Sequence, residues 1–183
     1  MSPSEKLAAF REEIARQGLR GFIVPRADEH LGEYVPPSAE RLAWLTKFTG
    51  SAGLAAVLPD RAAVFTDGRY TLQLAAQVDP ALWEARHLTD DPPHAWLAAH
   101  APAGAAIGYD PRLISEEGLN RYLEAGLVMR PTDRNPVDAV WRDRPPPPHA
   151  AAHPHKLEWA GRGAVDKRAD IAAELGRTQQ DAA

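Results

Sequence analysis

Asp28, Glu29, His30 and Glu33 crowd into the run RADEHLGE. Carboxylates beside an imidazole have the residue types for metal binding or for acid–base work. Their spacing matches no familiar metal motif, and a polar surface loop is the plainer reading. His149, His153 and His155 form a second histidine-rich group, in PHAAAHPH. A structural metal site wants about four ligands on a folded frame. These histidines sit among Pro and Ala with no carboxylate beside them, and read as a solvated linker. Ser51 in Gly50-Ser51-Ala52-Gly53 lacks the G-x-S-x-G spacing of a hydrolase elbow. Without a G-K-[ST] the run is no phosphate loop either. Its small residues instead suit close backbone packing. Asp67-Gly68-Arg69-Tyr70 is the most informative group. Gly68 would permit an unusual backbone angle and Asp67 would cap the following helix. Arg69 and Tyr70 would then project from the end of a sheet. They form either a capped surface turn or an Arg offered to a neighbouring domain or subunit. None of these groups is a complete catalytic constellation.

The elements that must carry these residues are legible from periodicity. Ser2, Pro3 and Glu5 give a helix start with a capping box. Leu7, Phe10 and Ile14 follow on one face, and Gly18 is a natural stop. Gly21 to Val24 reads as a buried strand. A short helix carries Leu42, Trp44 and Leu45. Leu54 to Leu58 and Ala62 to Phe65 read as strands joined by the turn Pro59-Asp60-Arg61. A helix with Leu72, Leu74, Ala75 and Val78 follows DGRY. Strands near 83–87, 106–109 and 127–130 then alternate with helices near 93–100 and 115–125. Such alternation argues for an α/β fold, and the hairpin makes its central sheet mixed.

The 183 residues suffice for one domain with an appendage, and 44% hydrophobic with 25% charged is an ordinary globular composition. A net charge of -4 and the lack of a basic run argue against nucleic acid and anionic membrane as partners. With no cysteine, disulfide and thiolate chemistry are excluded. MSPSEKLAAF is not a signal peptide and no stretch has the roughly 20 apolar residues of a membrane span, so a cytoplasmic protein is expected. The organisation expected is a domain over 1–143, a linker over 144–163 built on the run Pro145 to Pro148, and an orphan amphipathic helix over 164–183. That helix has no strand to follow it, so the chain is expected to be the front of a longer protein.

VPRADEHLGEYVPPSAERLAWLTKFTGSAG followed by FTDGRYTLQLAAQV resembles the N-terminal domain of Xaa-Pro aminopeptidases, a domain type shared with creatinase and prolidase. The likeness continues through IGYDPRLIS and NPVDAVWRDRP, and GAVDKRADIAAEL resembles the first helix of a second, similarly folded domain. It favours the three-domain aminopeptidases. The resemblance implies a later catalytic domain in which Asp, His and Glu ligands hold two divalent metal ions, usually manganese, that activate water. No catalytic or metal residue carries over to this chain. It implies a non-catalytic role in dimerisation and in limiting access of proline-containing peptides, with the chain's own catalytic domain as partner. Arg69 is the first candidate to reach toward substrate, with Asp67, Gly68 and Tyr70 shaping its turn. His30, Glu33 and Tyr34 belong to the loop after the first strand, expected to face the catalytic domain. Lys47 stands where relatives carry Gly. If that position has a positive φ, Lys strains it; in an open loop nothing follows. The other readings are a stand-alone dimerisation or binding module and a prolidase or creatinase relative. With its partner domains missing, an exposed apolar patch is expected around Trp44, Phe48 or Trp141.

Overall fold

In the computed structural model, residues 1–182 are described, and they divide into a body, Met1–Pro148, and a segment from His149 onward. The body opens with α1 (Pro3–Arg16). Ser2 Oγ accepts from Glu5 N at 3.2 Å while Glu5 Oε2 accepts from Ser2 N at 2.6 Å, so the capping box closes both ways. Leu7, Phe10 and Ile14 are buried, as their spacing requires. Gly18 ends the helix at φ +72°, a left-handed conformation that glycine adopts without penalty.

Six strands form one sheet: β1 (Gly21–Pro25), β2 (Leu54–Val57), β3 (Ala62–Thr66), β4 (Glu84–His87), β5 (Ala106–Tyr109) and β6 (Val128–Pro131), in the order β4-β3-β2-β1-β5-β6. β2 is antiparallel to both neighbours; the other pairings are parallel. The sheet is mixed, as expected, and the hairpin between β2 and β3 closes with Leu58 N donating to Arg61 O at 2.9 Å. Because side chains alternate along a strand, the sheet buries two faces. Phe22, Val24, Val57 and Val64 share one core with α1, α2 (Arg41–Thr46), α3 (Thr71–Gln77) and α6 (Pro136–Val140). Ile23, Ala56, Phe65 and Ile107 share the other with Trp96 and Leu97 of α4 (Pro93–His100) and Tyr122 of α5 (Glu116–Glu124). Each large apolar side chain so buried contributes about 1.5–3 kcal/mol.

Helix α6 lies in a stretch where the sequence reading had placed only a join. Asn135 caps it, its Oδ1 accepting from Val137 N at 3.0 Å, and Val137 is fully buried. This helix overturns the expected apolar patch. Phe48 and Trp141 are core residues, and Trp44 stacks on Trp141 with ring centroids 5.5 Å apart. Lys6 Nζ sits 4.6 Å over the Trp44 ring and donates to Trp44 O at 2.9 Å, closing that surface.

Lys47 caps α2 in the left-handed region at φ +69°. The strained alternative foreseen for this position is the one the structure adopts. In the segment beyond Pro148, α7 (Leu157–Ala160) and α8 (Ala164–Thr178) bury no residue. Trp159 is 69% exposed, and Val165 and Ile171 are exposed on α8. His149, His153 and His155 are exposed too.

Candidate functional site: the carboxyl edge of the sheet

β1 and β3 run parallel with β2 reversed between them. Their topology therefore delivers three separate segments to one edge: the loop after β1, the small-residue run before β2, and the DGRY turn after β3. In open α/β sheets this carboxyl edge is where ligands and partners are met.

The run Gly50-Ser51-Ala52-Gly53 is small because Phe48 lies across it. A Cβ on Gly50 would stand 2.3 Å from the Phe48 ring, and one on Gly53 would stand 2.7 Å from it and 2.9 Å from Leu42. Close packing is thus the reason for these glycines. Ser51 Oγ is 2.7 Å from Tyr70 Oη, so its partner is a phenol and not a base, which leaves it without a means of activation. That contact joins the small-residue run to the DGRY turn.

Within the turn, Asp67 Oδ1 accepts from Arg69 N at 3.0 Å, and Arg69 Nη2 donates to Asp67 Oδ2 at 2.7 Å. Arg69 is exposed, its guanidinium carbon 5.2 Å from the Tyr70 ring centroid. The Arg69 hydrogen bonds hold the Asp67 carboxyl below its ordinary range, and Asp67 in turn raises Arg69, with a smaller contribution from Glu33. Two details of the turn differ from expectation. Asp67 caps the turn itself rather than α3, whose N-cap is Tyr70 with no side-chain bond. Gly68 has no positive φ, and its nearest neighbour, His87 Nε2, would be an ordinary 3.8 Å from an added Cβ. Its backbone needs no glycine.

Asp28 organises the loop after β1. Its Oδ1 accepts from Gly32 N at 3.0 Å and His30 N at 3.1 Å. The bond from Gly32 is the main reason its carboxyl titrates below the ordinary range. With its carboxylate turned inward to these amides, the loop presents His30, Glu33 and Tyr34 to solvent, Tyr34 at 88% exposure. Leu31 is also exposed and takes φ +52°. Arg26, unnoticed in the sequence, ties the segments together: its Nη1 donates to Glu33 O at 2.9 Å and Ser51 O at 3.3 Å.

Behind the loop sits a buried ion network that spacing could not disclose. Arg41, 1% exposed, donates to Asp138 Oδ1 at 2.7 Å through Nε, and through Nη2 to Asp138 Oδ2 at 3.0 Å and Glu29 Oε1 at 3.1 Å. Arg144 Nη1 lies 2.7 Å from Asp138 Oδ2, and Arg144 Nε donates to Ser38 O at 2.6 Å. Glu29 therefore belongs to an internal brace, not to a metal or acid–base cluster. Among the described residues no three His, Asp or Glu side chains come together as a metal site. The edge offers a pinned guanidinium, a phenol and exposed polar groups: a surface that can recognise and orient, with no nucleophile–base pair.

Residues 6–138 match the family profile described as the Creatinase/Prolidase N-terminal domain. The chain is 34% identical over 183 residues to Xaa-Pro aminopeptidase 2 of Homo sapiens, covering 95% of this chain and 27% of that protein. Aminopeptidase P1 of Lotus japonicus is 36% identical over 180 residues, covering 94% of this chain and 27% of that protein. Among solved structures, the X-prolyl aminopeptidase of Caenorhabditis elegans, described as a cytosolic enzyme with a di-nuclear active site, superposes with a TM-score of 0.81 at 27% identity, over 98% of this chain and 32% of that chain. The N-terminal domain of the peptidase PepQ from Mycobacterium tuberculosis shares the fold, at a TM-score of 0.55 and 22% identity over 74% of this chain. The chain thus spans little more than a quarter of the length of the curated relatives it matches. The mixed sheet, the matched profile and these relatives agree: the chain belongs to the creatinase/prolidase N-terminal domain family, in the part of it found at the front of Xaa-Pro aminopeptidases.

Proposed function

We propose that this chain serves as the non-catalytic front portion of an Xaa-Pro aminopeptidase, a cytoplasmic metallopeptidase that removes the residue preceding a proline. The observation that carries this reading is the likeness to Xaa-Pro aminopeptidases over 95% of the chain. In this reading residues 1–143 form the domain, 144–163 the linker and 164–183 the first helix of a second domain; Ala183 lies outside the described residues. Two divalent metal ions, manganese in our reading, belong to a catalytic domain elsewhere in the protein; the Caenorhabditis elegans relative is described as having a di-nuclear active site.

The carboxyl edge is the surface we assign to that domain. Arg69 and Tyr70 form its firm part, pinned by Asp67 and Ser51. His30 and Glu33 form its exposed rim. A guanidinium held in one orientation suits a peptide carbonyl or carboxylate and loses little freedom on binding. Homodimerisation through this portion is part of the same reading.

The test uses the natural full-length protein. It should release the first residue of an Xaa-Pro tripeptide and stop on chelation, while the 183-residue chain alone stays inactive. Arg69→Ala should lower kcat/KM for tripeptides by about tenfold, the equivalent of one charge-assisted hydrogen bond. Metal-dependent cleavage by the isolated chain would refute the non-catalytic role. Unchanged tripeptide kinetics would refute the assignment of Arg69.

A further inference from the structure

A cleft of about 370 Å³ opens at the same end of the sheet but on its opposite face, between α4 and α5. Its walls are apolar: Pro25, Leu54, Leu88 and Ile114. Its volume falls at the small end of the range for ligand pockets, and its make-up, mostly apolar with a few polar groups, is typical of them.

Tyr122 is the unexplained member of this lining. It is only 5% exposed, and its ring packs edge-on to His94 at 6.1 Å. Its hydroxyl has no hydrogen-bond partner in the protein among the described residues, yet it is not one of the atoms sealed from solvent. A buried phenol normally finds a partner. Burial also raises its pKa well above the ordinary range, so it remains an O–H donor at any physiological pH.

Three features of the lining fix the sign of the partner. Pro92, Pro93 and His94 bring the start of α4 to the cleft; the two prolines carry no N–H, and with no side-chain cap on this helix the His94 amide is its first free donor. Arg121 also lines the cleft; one of its nitrogens donates to the exposed Glu117 at 2.8 Å, which leaves its remaining donors unclaimed. His94 adds a further ring nitrogen. Donors thus outnumber acceptors among the polar groups of a pocket whose remaining lining is largely hydrocarbon.

We propose that this cleft binds a small carboxylate with an apolar body, the carboxylate toward Tyr122 and the start of α4 and the apolar part against Leu54, Leu88 and Ile114. The same chemistry is offered by a free aryl or branched-chain acid and by the carboxyl terminus of an apolar peptide. The site stands independently of the peptidase reading, since it uses neither Arg69 nor any metal.

The purified chain, 15N-labelled, is titrated with 3-phenylpropanoate, with 3-phenylpropanamide, and with N-acetyl-leucyl-phenylalanine and its C-terminal amide. Saturable shifts are expected at the Thr89, His94 and Gly118 amides, with a Kd for the free acid on the order of 0.1–1 mM. The amide should bind about tenfold more weakly than the acid. Tyr122→Phe should weaken the acid by about three- to tenfold with its melting curve unchanged. Ile114→Trp should fill the cleft and abolish the shifts; Leu88→Trp replaces it should the first variant fail to fold. Binding of the peptide acid as tight as that of the free acid identifies a peptide terminus as the source, and binding of the free acid alone identifies a metabolite. The proposal is overturned if no shift saturates at about 10 mM, if acid and amide bind alike, or if Tyr122→Phe binds as well as the parent.

Discussion

Replacing Lys47 with glycine should make the protein more stable. Lys47 sits at φ +69°, where an L-residue's Cβ crowds its own backbone, at a cost of roughly 1–2 kcal/mol. Glycine removes that crowding but gives the unfolded chain extra freedom, which takes back about 0.4–1 kcal/mol. The side chain of Lys47 is exposed, and the backbone bond from Lys47 N to Ala43 O at 2.8 Å survives the change. A net gain of about 0.5–1 kcal/mol remains, or about 1–4 °C in Tm for a body of this size. Urea unfolding followed by tryptophan fluorescence measures it directly. Charge must be separated from backbone. Burial lowers the pKa of Lys6, and the nearby charge of Lys47 adds to that lowering. Lys47→Ala removes the charge and keeps the left-handed cap. If Lys47→Ala stabilises as much as Lys47→Gly, repulsion is the cause and the backbone reasoning is refuted. A Lys47→Gly variant no more stable than the parent refutes it outright.

Asp138→Ala should cost about 3–5 kcal/mol in urea unfolding, because it strips a buried guanidinium of its bidentate partner. Glu29→Ala, whose side chain is 38% exposed, should cost under about 1 kcal/mol in the same assay. Gly53→Ala should lose about 1–3 kcal/mol through overpacking against Phe48 and Leu42, measured by thermal melting. Asp110 is buried, which opposes ionisation, but bonds from Arg112 and Asn135 outweigh burial and leave its pKa lowered. A lowered carboxyl stabilises fully above its unfolded value of about 3.9 and loses that contribution as pH falls through the folded one. Asp110→Asn should therefore lower Tm at neutral pH while flattening the acid limb of the Tm–pH curve below about pH 4.

Local physics wrote most of this fold into the sequence. The capping box at Ser2 and Glu5, the helical spacing of Leu7, Phe10 and Ile14, and the turn between β2 and β3 each depend on residues a few positions apart. The small-residue run was readable as close packing for the same reason, although the ring that demands it, Phe48, had been a candidate for exposure. What stayed hidden depends on long-range contact. Helix α6 has only five residues, too short for a periodic pattern, and is held by Val137 in the core and by its Asn135 cap. Trp44 and Trp141 looked like surface because their covering partner is each other, nearly a hundred residues away. Of the candidate site, DGRY was visible as a turn, but its union with Ser51 and the staple made by Arg26 follow from β2 running antiparallel between β1 and β3.

The bond between Arg41 and Asp138 spans 97 residues of chain. During synthesis at about 5–20 residues per second, Arg41 leaves the ribosome roughly 5–20 s before Asp138, its bidentate partner, does. For that interval Glu29 is the only carboxylate of the brace within reach, so docking α2 on the sheet takes the guanidinium out of water without its bidentate partner. The layer that bears α2 is therefore completed by a segment at the far end of the domain. The brace thus makes closure of the α2 layer a long-range event, settled by Asp138 and not by the residues around Arg41.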